Sequence, residues 1–123
     1  GAIVPGVGLF DRAVHPVSFD DIRDGLSNTL MNGETIPEQC TYNGAYNHNF
    51  PIAGTTIPMN TMMQTDEGVD TKWWTGCGFK SRHPGGCNFA LADGSVRFLA
   101  DTLDYKLYNE LGSRAGGEPV SLP

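Results

Sequence analysis

The sequence predicts an α+β fold: a small antiparallel β-sheet with a C-terminal hairpin, one short and one longer helix, and long loops. Three observations carry this. Residues 87–92 and 95–100 flank Asp93-Gly94 so that one side of the ribbon is apolar throughout, the pattern of a β-hairpin. Leu103, Leu107 and Leu111 recur every four residues, which lines one face of a helix. Glycine and proline supply 16 and 8 of the 123 residues, while apolar residues reach only 39%. That composition suits loops joining short elements and excludes a coiled coil or a long-helix protein.

Residues 1–17 read as a loop or edge segment with a short strand at Val7–Phe10. A short helix follows near 19–24. Ser18 is a good N-cap, and Asp21 stands where a reciprocal capping residue belongs, although Glu or Gln reaches better. Phe19 and Ile22, three apart, would share its buried face, and Gly25 would end it. Thr29–Ile36 reads as a strand, unless Asn32-Gly33 splits it as a hairpin turn. Residues 37–72 are polar, rich in Gly, Asn, Thr and Pro, and weakly periodic, so they read as a long loop insertion.

The hairpin register can be written out. A type I′ turn at Asp93-Gly94 sets Leu91 opposite Val96, Phe89 opposite Phe98 and Cys87 opposite Ala100. One side of the ribbon is then apolar throughout. Asp101 or Thr102 would cap the helix near 103–111, and Gly112 would end it. An extended tail follows from Ala115.

Charge narrows the function. Eight Lys and Arg face fourteen Asp and Glu, a net charge of −6, which disfavours a phosphate backbone as partner. No apolar run approaches the roughly 18 residues that cross a bilayer, so no membrane segment is expected in this chain.

Three segments carry a resemblance. The run 21–30, Asp-Ile-Arg-Asp-Gly-Leu-Ser-Asn-Thr-Leu, resembles the D-I-x-D-G-T-S-N-T-L run of a large bacterial family of prepilin-like secreted proteins. His83 and Asp93-Gly94 are similar to that family's C-terminal H-x9-DG signature, with Gly85 and Gly86 between them. The ending 111–118 is similar to its L-x-T-R-x-G-G-E close, with Gly116, Gly117 and Glu118. The domain of that family has no assigned activity. The resemblance implies a non-enzymatic, pilin-like or pseudopilin-like globular domain, exported to the periplasm or cell surface and working in surface filaments or type II secretion. It would act through contacts with other protein subunits, the rest of its parent chain included. Family members begin with a prepilin leader and a long apolar helix, so residues 1–123 read either as a single domain or as the C-terminal portion of a larger one. The family-motif residues Asp24, Gly25, Ser27, Asn28, Thr29, His83, Gly85, Gly86, Asp93, Gly94, Gly116, Gly117 and Glu118 are expected to be structural.

Other chemistries compete with this reading. His83 and Asp93 with Ser81 or Ser95 would suit a hydrolase, but β-strand rise places the two ends of residues 87–92 about 20 Å apart. No cofactor is expected beyond a calcium candidate, offered by the acidic clusters Asp20, Asp21, Asp24 and Asp66, Asp70. Cys77, His83 and Cys87 match no usual zinc spacing. Among Cys40, Cys77 and Cys87, the favoured disulfide is Cys77–Cys87, against three reduced thiols. The alternative to the pilin-like reading is a secreted module that binds calcium or glycan. It would use the acidic loops and the aromatic region at Trp73-Trp74, with Tyr42, Tyr46 and Phe79. His15 and His48 have no partner pattern.

Overall fold

The computed structural model describes residues 9, 17–40, 53–62, 76–113 and 122. Three strands form one antiparallel sheet in the order β1-β2-β3: β1 Leu30–Gly33, β2 Gly86–Leu91 and β3 Val96–Ala100. Helix α1 spans Tyr105–Leu111. Short 3-10 turns occupy Phe19–Asp21, Leu26–Asn28 and Pro37–Gln39. The class is therefore α+β, with the hairpin at its centre. Among the described residues no helix is long and apolar enough to cross a membrane.

The hairpin lies where expected, but its register is one residue away. Gly86 faces Ala100, Cys87 faces Leu99, Asn88 faces Phe98, Phe89 faces Arg97 and Ala90 faces Val96. The cause is the turn. Gly94 has φ +86°, whereas Asp93 does not take a positive φ as a type I′ turn requires. Gly94 N–H donates to Leu91 O at 2.9 Å, and Leu91 N–H to Ser95 O at 2.8 Å. This is a three-residue loop, a type I turn closed by a glycine bulge. One residue of slip turns every β3 side chain to the other face. Leu99 is buried, while Val96 and Phe98 are 67% and 50% exposed.

The inner face of the sheet carries Cys87, Phe89, Leu91 and Leu99, and it packs on Leu30, Met59, Phe79, Tyr108 and Leu111. Phe89 meets Phe79 edge-on at 5.0 Å and Tyr108 at 6.2 Å between ring centroids. Residue 87 is thus a core position, and this redirects the disulfide. The bond joins Cys40 to Cys77, in a second cluster with Ile57, and Cys87 is a buried free thiol.

Other expectations shift for local reasons. Residues 19–24 give a single 3-10 turn, too short to bury a face. Phe19 is 71% exposed. Asp21 still does its capping work, accepting from Ser18 N–H at 2.9 Å and Ser18 Oγ at 3.2 Å. The strand expected over 29–36 pairs over Leu30–Gly33, so Asn32-Gly33 lies in β1 and not in a hairpin turn. Helix α1 starts after Asp104, whose Oδ1 accepts from Leu107 N–H at 3.0 Å. Asp101 and Thr102 remain in the turn before it.

Within the long segment 37–72, residues 53–62 run along the core. Thr55, Ile57 and Met59 are buried, while Thr56 and Pro58 are exposed. Asn60 has φ +60°, a conformation that Asn tolerates better than most residues.

Candidate functional site

Two of the three resembling segments, 21–30 and 83–94, meet at β1. Before its first residue, Leu26 O accepts from Asp93 N–H at 3.0 Å, and Thr29 O accepts from Ala92 N–H at 2.9 Å. The D-G-x-S-N-T run therefore carries the Asp-Gly turn on its backbone. Thr29 is fully buried, and its Oγ1 donates back to Gly25 O at 2.9 Å. Asn28 N–H donates to the same carbonyl at 3.1 Å. Gly25 has φ +97°, Ser27 is exposed and Asp24 is half-buried. Asp93 Oδ1 accepts from Ser95 Oγ at 2.6 Å and Ser95 N–H at 2.9 Å. These bonds, the hydroxyl foremost, hold the Asp93 carboxyl below its ordinary range.

The other end of β1 binds the signature histidine. His83 Nε2 lies 2.8 Å from Glu34 Oε2. The same oxygen accepts from Asn88 N–H at 2.7 Å and Asn88 Nδ2 at 3.3 Å. Asn88 N–H is the main reason the Glu34 carboxyl lies below its ordinary range, with His83 adding to it. The His83 ring also rests against Phe98, 5.8 Å between centroids. His83 and Asp93 thus stand at opposite ends of β2, each with its own partner. Between them, Gly86 lets β2 and β3 close up: a Cβ there would fall 2.0 Å from Leu99 O.

Glu34–Glu38 and Lys80–His83 wall an open cleft of about 580 Å³. Arg82 pairs with Glu38 across it. Ser81 Oγ lies 2.6 Å from Gly86 O and 3.2 Å from His83 O, so its proton serves backbone carbonyls and not an imidazole. Lys80 is fully buried, with Nζ donating to Thr61 O at 2.6 Å. Burial draws its pKa down to about 8. Burial pushes the neighbouring Cys87 thiol up to about 11. Cys87 Sγ lies 3.5 Å from Asn60 Oδ1, which also accepts Ser81 N–H at 2.9 Å.

The metal candidates fare differently. Among the described residues no three His, Cys, Asp or Glu side chains gather to hold an ion. Cys77, bonded to Cys40, has no thiolate to offer zinc beside His83 and Cys87. Asp21 turns back on Ser18 rather than converging with Asp20 and Asp24. Phe19 and Ile22 line a separate apolar pocket of about 260 Å³ with Leu9, Val17, Met31 and Ala92. Asp66, Asp70, Gly116, Gly117 and Glu118 lie outside the described residues, as do Trp73, Trp74, Tyr42, Tyr46, His15 and His48.

Glu34, Asn60 and Lys80 are the site residues that sequence reasoning missed. Asn60 follows Pro58-Met59, a turn-forming setting that was legible. Glu34 sits 49 residues from His83 and gives no local signal.

Residues 4–106 match the family described as protein of unknown function (DUF1559), SBP_bac_10. The chain belongs to the DUF1559 family. No curated protein and no solved structure matches it. Both segments that clamp β1 in this DUF1559 chain, residues 21–30 and 83–94, fall inside the matched range.

Proposed function

We propose that the domain is a non-enzymatic interaction domain, exported to the cell surface as part of a pilin-like or pseudopilin-like protein. One observation carries this reading. The two most recognisable side chains, His83 and Asp93, are spent on opposite ends of one strand, holding β1 and the ribbon in place. A signature devoted to framing a sheet suits a domain whose product is a surface. The Cys40–Cys77 bond fits an oxidising compartment. The likeness of residues 21–30 and 83–94 to prepilin-like runs supplies the direction.

The test is topological. The full-length gene, epitope-tagged in its own host, is followed by protease shaving of intact cells and by cross-linking in place. Surface accessibility with protein-protein adducts is the expected result. Retention inside the cell with Cys40 and Cys77 reduced sinks the reading.

A further inference from the structure

We propose that Asp93-Gly94 is a self-modification site that Ser95 holds in check: without that restraint the Gly94 nitrogen closes on Asp93 Cγ, and the turn passes through a succinimide to isoaspartate. The inference rests on the turn alone and goes beyond the reading above.

The chemistry needs only the chain and water. Closure forms a bond from Gly94 N to Asp93 Cγ and breaks the bond from Cγ to the carboxyl hydroxyl. That hydroxyl leaves as water, carrying the Gly94 amide proton with it. A second water then opens the ring at either carbonyl. Opening at the Asp93 main-chain carbonyl leaves a chain that runs through Cβ and Cγ, one carbon longer than before. Nothing in the packing prevents this. Asp93 and Gly94 are both exposed, and a Cβ added at residue 94 would meet nothing within 4 Å.

Hydrogen bonds oppose it at both reacting atoms. Asp93 Oδ1 accepts from Ser95 Oγ at 2.6 Å and from Ser95 N–H at 2.9 Å. These bonds fix the carboxyl on Ser95 and favour its ionised form, which has no hydroxyl to lose. Gly94 N–H donates to Leu91 O at 2.9 Å, so the proton that closure must remove is already bonded. The Leu91 bond is main chain, whereas the shortest of the three belongs to the Ser95 hydroxyl. Ser95 is therefore a positioning residue for Asp93. Release would reach beyond the turn. Asp93 N–H donates to Leu26 O and Ala92 N–H to Thr29 O, and an extra main-chain carbon after Asp93 disturbs the loop that aligns them.

Wild type, Ser95→Ala and Ser95→Thr are incubated at mildly acidic pH, folded or in urea, and the peptide holding residues 93 and 94 is followed by mass spectrometry. The succinimide is lighter by one water. Isoaspartate keeps the mass but resists endoproteinase Asp-N before residue 93. In urea the three proteins should react at one rate. Folded wild type should react about tenfold more slowly than in urea, and folded Ser95→Ala about threefold faster than folded wild type. Ser95→Thr restores the hydroxyl and with it the wild-type rate. Ile57→Val loses stability in the second core cluster, away from the turn, and should leave the rate unchanged. Folded wild type reacting as fast as in urea, Ser95→Ala no faster than wild type, Ser95→Thr as fast as Ser95→Ala, or Ile57→Val matching Ser95→Ala overturns the proposal.

Discussion

The β2–β3 ribbon holds itself by its own backbone, whereas residues 53–62 are held by side chains reaching in from elsewhere. The ribbon has a continuous ladder from Gly86–Ala100 to Ala90–Val96 and a turn closed by its own amides. The 53–62 segment has a bridge from Gly54 to Gly78 and then a series of separate attachments. Tyr105 Oη donates to Thr56 O at 2.7 Å, Thr55 Oγ1 to Asn109 Oδ1 at 3.3 Å and Lys80 Nζ to Thr61 O. Asn60 joins both sides: its N–H reaches Phe79 O, its Oδ1 takes Ser81 N–H, and its Nδ2 reaches Asp101 at 3.1 Å. Both regions bury side chains into the same core. One does so by local pairing, the other by contacts distant in sequence.

The largest expected effect breaks the ribbon. Gly86→Ala puts a methyl into the Leu99 carbonyl and forces the strands apart. It should cost about 3 kcal/mol or more by urea denaturation. Gly94→Ala meets nothing within 4 Å and bears only its φ of +86°, so its cost should be about 1–2 kcal/mol. Equal costs would mean that close strand approach is not what Gly86 supplies.

Breaking the other region is a smaller step. Asn60→Ala removes the amide bonds and strains the backbone, at about 2–3 kcal/mol. Asn60→Gly keeps the left-handed conformation and should recover about 1 kcal/mol of that. Hydrogen exchange at Ser81 N–H should accelerate in both, because both lose its acceptor. An unchanged rate would show that Asn60 does not fasten the segment.

The smallest effect sharpens the boundary between the regions, where Lys80 and Cys87 meet. Lys80 loses its proton near pH 8 when folded, against an ordinary 10.5. The unfolded chain binds more protons in that window, so stability rises with pH there. Cys87 works in the opposite sense: its thiol holds its proton to about 11, against an ordinary 9.0, so stability falls between those values. A denaturation midpoint that climbs from about pH 8 to 9 and then levels is expected. Cys87→Ala should let the climb continue to about pH 10.5. A wild-type midpoint that falls from pH 8 contradicts the assignment to Lys80.

The same contrast explains what the sequence made legible. The hairpin, α1 and β1 announce themselves by local pattern, and each is present. The register did not, because Asp-Gly serves two turn types on paper. The Asp93 carboxylate bonding Ser95 favours the three-residue loop, and that bond depends on the turn already formed. Residues 53–62 had a readable two-residue rhythm in Thr55, Ile57 and Met59, masked by Pro58 and by threonines that look like loop. The cysteines could not be paired from spacing, since the short 77–87 loop was the easier one to close. Burial of Cys87 on the inner face decided against it. In the site, His83 and Asp93 were visible, but Glu34 was not.

The bond between Cys40 and Cys77 changes what a cut chain means. The 36 residues between them form a covalent ring with two exits, one toward β1 and one toward β2. A protease that nicks this ring once leaves one connected molecule, with β1 still tethered to the ribbon. On a gel it migrates as intact until a reductant splits it in two. Backbone continuity and structural continuity are therefore separate properties here, and a clipped form keeps the second after losing the first.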